Sequence, residues 1–174
     1  MATLETRIPL PILDGHHHAR PVYARGPRSI ESLRLLRISV TDRCNLRCVY
    51  CMPEEGMTFL PREELLSPDQ IEAVARTARG LGVTHVKLTG GEPTVRRDLL
   101  EIVERLKSIG FEDVSLTTNG LQLDRLAVPL RASGVDRLTL SIDSLREDRY
   151  RTITGGGRLD RVCLLYTSPS PRDS

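Results

Sequence analysis

A strand-then-helix alternation in which each strand carries one apolar and one polar face constrains this chain more than any other feature. Strands are expected over Leu35 to Val40, Val83 to Leu88, Val114 to Thr117 and Leu138 to Ile142. Along them, Leu36, Ile38 and Val40 fall on one face and Arg37 and Ser39 on the other; Val86 and Leu88 oppose His85 and Lys87. Val114 and Leu116 oppose Ser115 and Thr117, and Leu138, Leu140 and Ile142 oppose Thr139 and Ser141. A doubly wound parallel sheet is covered by helices on both faces and reads as continuous apolar runs. Half-polar strands instead fit an α/β barrel, or part of one, whose lumen holds a polar ligand. A sheet with one solvated face is the competing reading, and it is chiefly an antiparallel habit.

Helical stripes separate the strands. Ser67-Pro68-Asp69-Gln70 is a helix start, with Ser as cap, Pro at the first helical position and Gln closing a capping box. Ile71, Val74, Ala75, Ala78 and Leu81 then recur at helical spacing up to Gly82. Asp98, with Glu101 three residues on, is expected to cap the next helix, whose stripe is Leu99, Ile102, Val103, Leu106 and Ile109. Asp124 is expected to start a shorter one running through Leu126 and Leu130 to Gly134. Parallel strands with intervening helices imply right-handed crossovers.

In the loop after the first strand, Cys44-Asn45-Leu46-Arg47-Cys48-Val49-Tyr50-Cys51 places three thiols in eight residues. Iron–sulfur cubanes normally take four cysteines, so a site that supplies three leaves one iron for a non-protein ligand. The bland alternative is a zinc loop. Structural zinc wants four ligands, usually as two separated pairs, and neither a second CxxC nor a histidine pair follows.

Barrel active sites gather on the loops after the carboxyl ends of strands. Thr89-Gly90-Gly91-Glu92-Pro93 follows the second strand, Thr118-Asn119-Gly120 the third, and Ser141 and Asp143 the fourth. Gly-Gly and Asn-Gly are each, taken singly, ordinary turns; beside a cysteine loop, the two glycines let a ligand approach the backbone closely. Arg37 and Lys87 point by parity into the proposed lumen. Two such cations need acidic neighbours, for which Asp42, Glu92 and Asp143 are the candidates, or an anionic ligand such as a triphosphate. Arg96-Arg97 reads as a solvated charge pair.

The bulk numbers exclude more than they assign. The 174 residues suit one domain, and a net charge of +2 gives no general attraction for nucleic acid or acidic membranes. No apolar run approaches a membrane span, and Pro9 and Pro11 interrupt any signal-peptide core. Clustered cysteines in a chain of this kind suit the reducing cytoplasm, where they bind metal rather than form disulfides. Residues 1–33, with His16-His17-His18, read as a flexible leader.

The run from Leu36 to Pro53, through Thr41-Asp42-Arg43-Cys44 and Cys51-Met52-Pro53, resembles the radical S-adenosylmethionine (SAM) superfamily. Together with Thr-Gly-Gly-Glu-Pro and the following Arg96-Arg97-Asp98, it resembles the GTP 3',8-cyclase family of molybdenum cofactor biosynthesis. That resemblance implies a 4Fe-4S cluster on Cys44, Cys48 and Cys51, its open iron chelated by SAM. It implies SAM contacts at Tyr50, Gly91 and Ser141, and GTP contacts at Arg37, Lys87 and Thr117. The family often has Arg where this chain has Lys87, which keeps the charge and loses the bidentate fork. The implied reaction is radical cyclisation of the GTP ribose onto guanine, with an external electron donor. A homodimer is left open for the full-length family.

The same resemblance implies about six strand–helix units, roughly twice this length, and a second 4Fe-4S cluster in a carboxyl-terminal region. Residues 34–162 therefore read as about four of six units of the barrel, and 163–174 as a Ser/Pro-rich tail unrelated to the family, with Cys163 a stray thiol. A chain of this extent is expected to show little cyclisation of GTP. A peptide-modifying radical-SAM enzyme and a noncatalytic zinc module are the rival readings.

Overall fold

Parity along the first three strands becomes burial in the computed structural model, which describes residues 32–52 and 56–163, whereas on the fourth Leu138 is 40% exposed. Residues 1–31 of the leader with the His tract, residues 53–55 and the tail from 164 onward lie outside the described residues. The chain divides into Met1–Ser32 and Leu33–Ser174, and the sheet with its helices belongs to the second unit.

Four parallel strands, β1 (Leu35–Ser39), β2 (His85–Thr89), β3 (Asp113–Thr118) and β4 (Arg137–Leu140), pair in the order β1-β2-β3-β4. Between them run α1 (Pro68–Gly80), α2 (Leu99–Ser108) and α3 (Leu123–Ser133), and after β4 come α4 (Glu147–Ile153) and α5 (Leu159–Cys163). In-register pairing sets Ile38, Leu88, Leu116 and Leu138 side by side on one face, with Arg37, Lys87, Ser115 and Arg137 on the other. On the apolar face Val86, Leu88, Val114 and Leu116 are fully buried against Ile71 and Ala75 of α1, Ile102, Val103 and Leu106 of α2, and Leu130 of α3. Each such aliphatic side chain contributes about 1.5–3 kcal/mol. A sheet wound in one direction with its three crossover helices on one face follows barrel topology; a doubly wound sheet reverses direction and puts helices on both faces.

Local chemistry fixes the elements where the sequence pattern puts them, with five differences. Ser67 caps α1 through the Gln70 N–H, and the Gln70 side chain returns to the Ser67 N–H at 2.9 Å, a capping box that stabilises by about 1 kcal/mol. The α1 stripe is narrower than its period suggests, since Val74 and Leu81 are about half exposed. Strand β2 starts at His85 rather than Val83, because Arg34 O takes the N–H groups of Thr84 and His85 and starts the ladder there. Strand β4 stops at Leu140, so Ile142 lies beyond it. The expected cap at Asp98 does not form: its carboxylate is held by Arg96, while Glu101 pairs with Arg105, and α3 begins at Leu123 rather than Asp124. No described helix is long and apolar enough to cross a membrane.

Candidate functional site

The cysteine loop leaves the carboxyl end of β1 and is held by backbone on both flanks. On one side Val40 N–H donates to Thr89 O (2.9 Å), Gly91 N–H to Thr41 O (2.7 Å) and Glu92 N–H to Arg43 O (2.8 Å). This approach is what the paired glycines permit: a Cβ on Gly90 would lie 2.4 Å from Thr41 O, and one on Gly91 2.4 Å from Arg43 O. On the other side Arg47 N–H donates to Thr154 O (3.1 Å) and Val49 N–H to Ile153 O (2.9 Å), at the end of α4. There Gly155, at φ +66°, would put a Cβ 2.6 Å from Arg47 O. Within the loop, the N–H groups of Cys51 and Met52 both donate to Cys48 O, closing a tight turn.

Glu92 locks the Gly-Gly loop to the β3 loop. Its side chain is 1% exposed, and no cation touches it. Instead one carboxylate oxygen accepts from Thr94 N–H (3.0 Å), the Thr94 hydroxyl and the Thr118 hydroxyl (2.7 Å), and the other from Asn119 N–H (2.7 Å). A buried carboxylate persists when donors meet both of its oxygens in this way. The Asn119 side chain so fixed donates to Asn45 Oδ1 at 2.8 Å and lies 4.0 Å from the Cys44 Sγ. Arg96, only 9% exposed at its side chain, does similar work behind the loop, donating to Val40 O (2.6 Å) and Leu66 O (2.7 Å) while Asp98 neutralises it. It is thus a buried staple and not the solvated charge its neighbour Arg97 is.

Between these supports lies a cleft of about 200 Å³ at the carboxyl end of the sheet. Cys44, Cys48 and Cys51 all line it, with Tyr50, Gly91, Thr117 and Ser141. The thiols are free; Cys48 is buried, Cys44 half-buried and Cys51 exposed. Burial pushes the Cys44 and Cys48 thiols above their ordinary range, with Glu92 adding to the first and Asp143 to the second. Leu46 N–H donates to the Cys44 sulfur at 3.4 Å. Among the described residues no three His, Cys, Asp or Glu side chains close on a single-ion position. Three sulfurs spread around one cleft suit a group larger than one ion, and among the described residues no fourth cysteine lines it. Cys163 ends α5 and does not line the cleft.

Tyr50 bridges the cleft. Its hydroxyl donates to Asp143 Oδ1 at 2.9 Å, tying the cysteine loop to the loop after β4. Loss of water around the hydroxyl, and next this bond, push its pKa well above the usual phenol range. Ser141 is positioned by its N–H, which donates to Thr118 O at 2.9 Å. Arg37 and Lys87 do not line the cleft. They sit on the same polar face, Lys87 one same-face step, about 7 Å, before Thr89. The ion pairs considered for them are absent: Asp42 accepts from Leu60 N–H (2.6 Å), Glu92 is saturated as described, and Asp143 holds Tyr50. Lys87 Nζ reaches only the Thr139 hydroxyl (3.3 Å), and Arg37 makes no hydrogen bond or ion pair among the described residues.

Sequence reasoning missed the Glu92 hub, the Arg96 staple and the Thr154–Gly157 support. A Glu in a Gly-Gly-Glu-Pro turn carries no mark of burial, since its donors lie on loops remote in sequence. The three glycines at 155–157 were a usable signal of close backbone approach.

Comparison with known proteins agrees with this geometry. The Radical SAM superfamily matches residues 38–164. A GTP 3',8-cyclase of Lactiplantibacillus plantarum is 52% identical over 128 residues, and one of Pelotomaculum thermopropionicum is 56% identical over the same length. Each alignment covers 73% of this chain and 39% of the relative. The chain thus spans about two-fifths of the length of these curated relatives. Among solved structures, Streptococcus suis SuiB bound to S-adenosylmethionine superposes with a TM-score of 0.60 at 24% identity, over 76% of this chain and 29% of that one, which is a likeness of fold. The superfamily uses a 4Fe-4S cluster and SAM. With a partial α/β barrel and three thiols at the carboxyl end of its sheet, this chain belongs to the radical SAM superfamily.

Proposed function

We propose that this chain is the cluster-bearing, SAM-binding portion of a GTP 3',8-cyclase of molybdenum cofactor biosynthesis. In this reading residues 34–162 are barrel, with 1–33 a leader and 163–174 outside it. Cys44, Cys48 and Cys51 hold a 4Fe-4S cluster, which when reduced supplies the electron that cleaves SAM. The chain's own residues do the rest. Leu46 N–H and the Asn119 side chain lie against the Cys44 sulfur and steady it. Tyr50, whose hydroxyl is clasped to Asp143, lines the space for SAM with its backbone, together with Gly91 and Ser141. Arg37 and Lys87, with Thr117, take the triphosphate-bearing substrate on the polar sheet face.

The observation that carries the reading is that face. Two cations stand in register on adjacent strands with no carboxylate partner among the described residues, and Lys87 lies one same-face step from a cleft ringed by three free thiols. Cations left without acidic partners beside a cofactor cleft are arranged for an anion that arrives from outside. The reading carries with it a cytoplasmic setting and an external one-electron donor, and it leaves a homodimer open for the full-length family.

Equilibrium dialysis of the anaerobically reconstituted chain with GTP tests it. Arg37→Ala and Lys87→Ala are each expected to weaken GTP binding by about 1–3 kcal/mol, roughly 5- to 150-fold, with SAM binding unchanged. GTP binding that ignores both substitutions sinks the substrate assignment.

A further inference from the structure

Flanking the cysteine loop on the side away from the Gly-Gly turn is a second cavity of about 290 Å³, and its character is basic. Arg47, Arg125, Arg158 and Arg161 line it, together with Asn45, Leu46 and the Gly155–Gly157 turn. All four arginines are exposed. The nearby acids offset only half of this charge: Asp160 holds Arg158 and Asp124 stands 4.0 Å from Arg125, whereas among the described residues the Arg47 guanidinium reaches only the Met52 sulfur. Arg161 makes no ion pair among the described residues. A surplus of guanidinium groups is gathered on one small surface of a chain whose net charge is only +2.

The wall of this cavity is the cysteine loop itself. Arg47 sits between Cys44 and Cys48 in sequence; Leu46 N–H donates to the Cys44 sulfur, and Asn45 shares the Asn119 amide that lies against the same sulfur. The opposite wall is rigid, because Arg47 N–H is bonded to Thr154 O and the Gly155 turn touches Arg47 O. A partner seated here is one residue from a cluster ligand, and it approaches without entering the cleft that SAM and substrate would fill.

We infer that this arginine-lined cavity is the docking surface for an acidic one-electron carrier protein that reduces the cluster. The inference rests on the reading of the three thiols as cluster ligands. Redox encounters are brief and small, below about 1,200 Å² of buried surface, and depend on charge steering rather than apolar burial, which is the character of this surface. The step itself moves one electron: the carrier is oxidised by one electron and the cluster reduced by one, and no bond forms or breaks.

The test uses reconstituted chain and fully reduced flavodoxin, an acidic single-electron carrier, as the probe, with bleaching of the cluster followed by stopped flow. The triple charge reversal Arg125→Glu, Arg158→Glu and Arg161→Glu is expected to lower the second-order rate on the order of tenfold at low salt. Arg47→Lys, which keeps the charge, is expected to leave that rate intact, and raising the ionic strength to erase the difference between wild type and triple variant. Photoreduced 5-deazariboflavin, an uncharged reductant, is expected to bleach both proteins equally fast. Equal rates with flavodoxin for wild type and triple variant at low salt overturn the inference. So does an equal slowing with both reductants, which reports damage to the loop and not loss of docking. A wild-type chain that assembles no iron–sulfur cluster overturns the underlying reading of the thiols as well.

Discussion

Glu92, on the loop beyond β2, and the Arg37–Lys87 pair, in the middle of β1 and β2, are charges on one sheet treated in opposite ways. Glu92 is sealed from water and meets four donors, none of them a cation. Arg37 and Lys87 stand in register on neighbouring strands, and between them make one 3.3 Å contact to a threonine hydroxyl. A buried charge with donors on both of its oxygens belongs to the scaffold, since leaving any of those donors alone is costly. A pair of like charges that the fold does not neutralise costs stability through repulsion and marks where an outside group completes the set.

Substitutions that exchange the two behaviours test this contrast. The largest effect is expected at Glu92→Ala, which leaves the hydroxyls of Thr94 and Thr118 and the N–H of Asn119 without a partner. About 4 kcal/mol of stability is expected to be lost, read as a lower urea midpoint at an unchanged slope. A change under about 1 kcal/mol breaks the view of Glu92 as scaffold. Next is Gly91→Ala. Its Cβ meets the Asp42 and Arg43 carbonyls at 2.6 and 2.4 Å, and backbone on both sides cannot give way as a side-chain tip could. About 2–3 kcal/mol of destabilisation is expected, with impaired cluster loading because the cysteine loop must shift.

Smaller still is Asp98→Asn, at about 1 kcal/mol at neutral pH. The Arg96 guanidinium holds the Asp98 carboxyl below its ordinary range, by hydrogen bonding first. A carboxyl depressed in the folded state contributes stability that is complete above the unfolded value near 4 and is lost as pH falls through the folded value. Wild-type protein is therefore expected to lose more stability below about pH 4 than Asp98→Asn, as read by denaturant midpoints across that range. The smallest effect on stability is expected for Arg37→Ala and Lys87→Ala, within about 0.5 kcal/mol of wild type, although the proposed function expects both to weaken GTP binding. Loss of stability comparable to Glu92→Ala at either position erases the contrast between the two regions.

Strand parity was legible because a half-polar parallel strand has few other uses, and Ile38, Val86, Leu88, Val114 and Leu116 are buried where that parity put them. The cysteine spacing and the Gly-Gly turn were legible for the same reason. What the glycines touch was not: within the structure it is the cysteine loop's own backbone at Thr41 to Arg43 that passes against them. Arg96 read as solvated because its acceptors are the carbonyls of Val40 and Leu66, which are remote in sequence and carry no side-chain signature. Asp98 looked like a cap and is a counter-ion, a choice between two short-range partners that the order of residues alone does not make.

The central claim, that Cys44, Cys48 and Cys51 jointly hold one iron–sulfur cluster open to SAM, is tested most directly by anaerobic reconstitution followed by iron and sulfide analysis and by the electron paramagnetic resonance of the reduced protein with and without SAM. About four irons and four sulfides per chain, a signal shifted by SAM, and loss of both in each of Cys44→Ser, Cys48→Ser and Cys51→Ser are expected. Absence of inorganic sulfide from the wild type, or a serine variant that keeps its full cluster and its SAM-shifted signal, contradicts the claim.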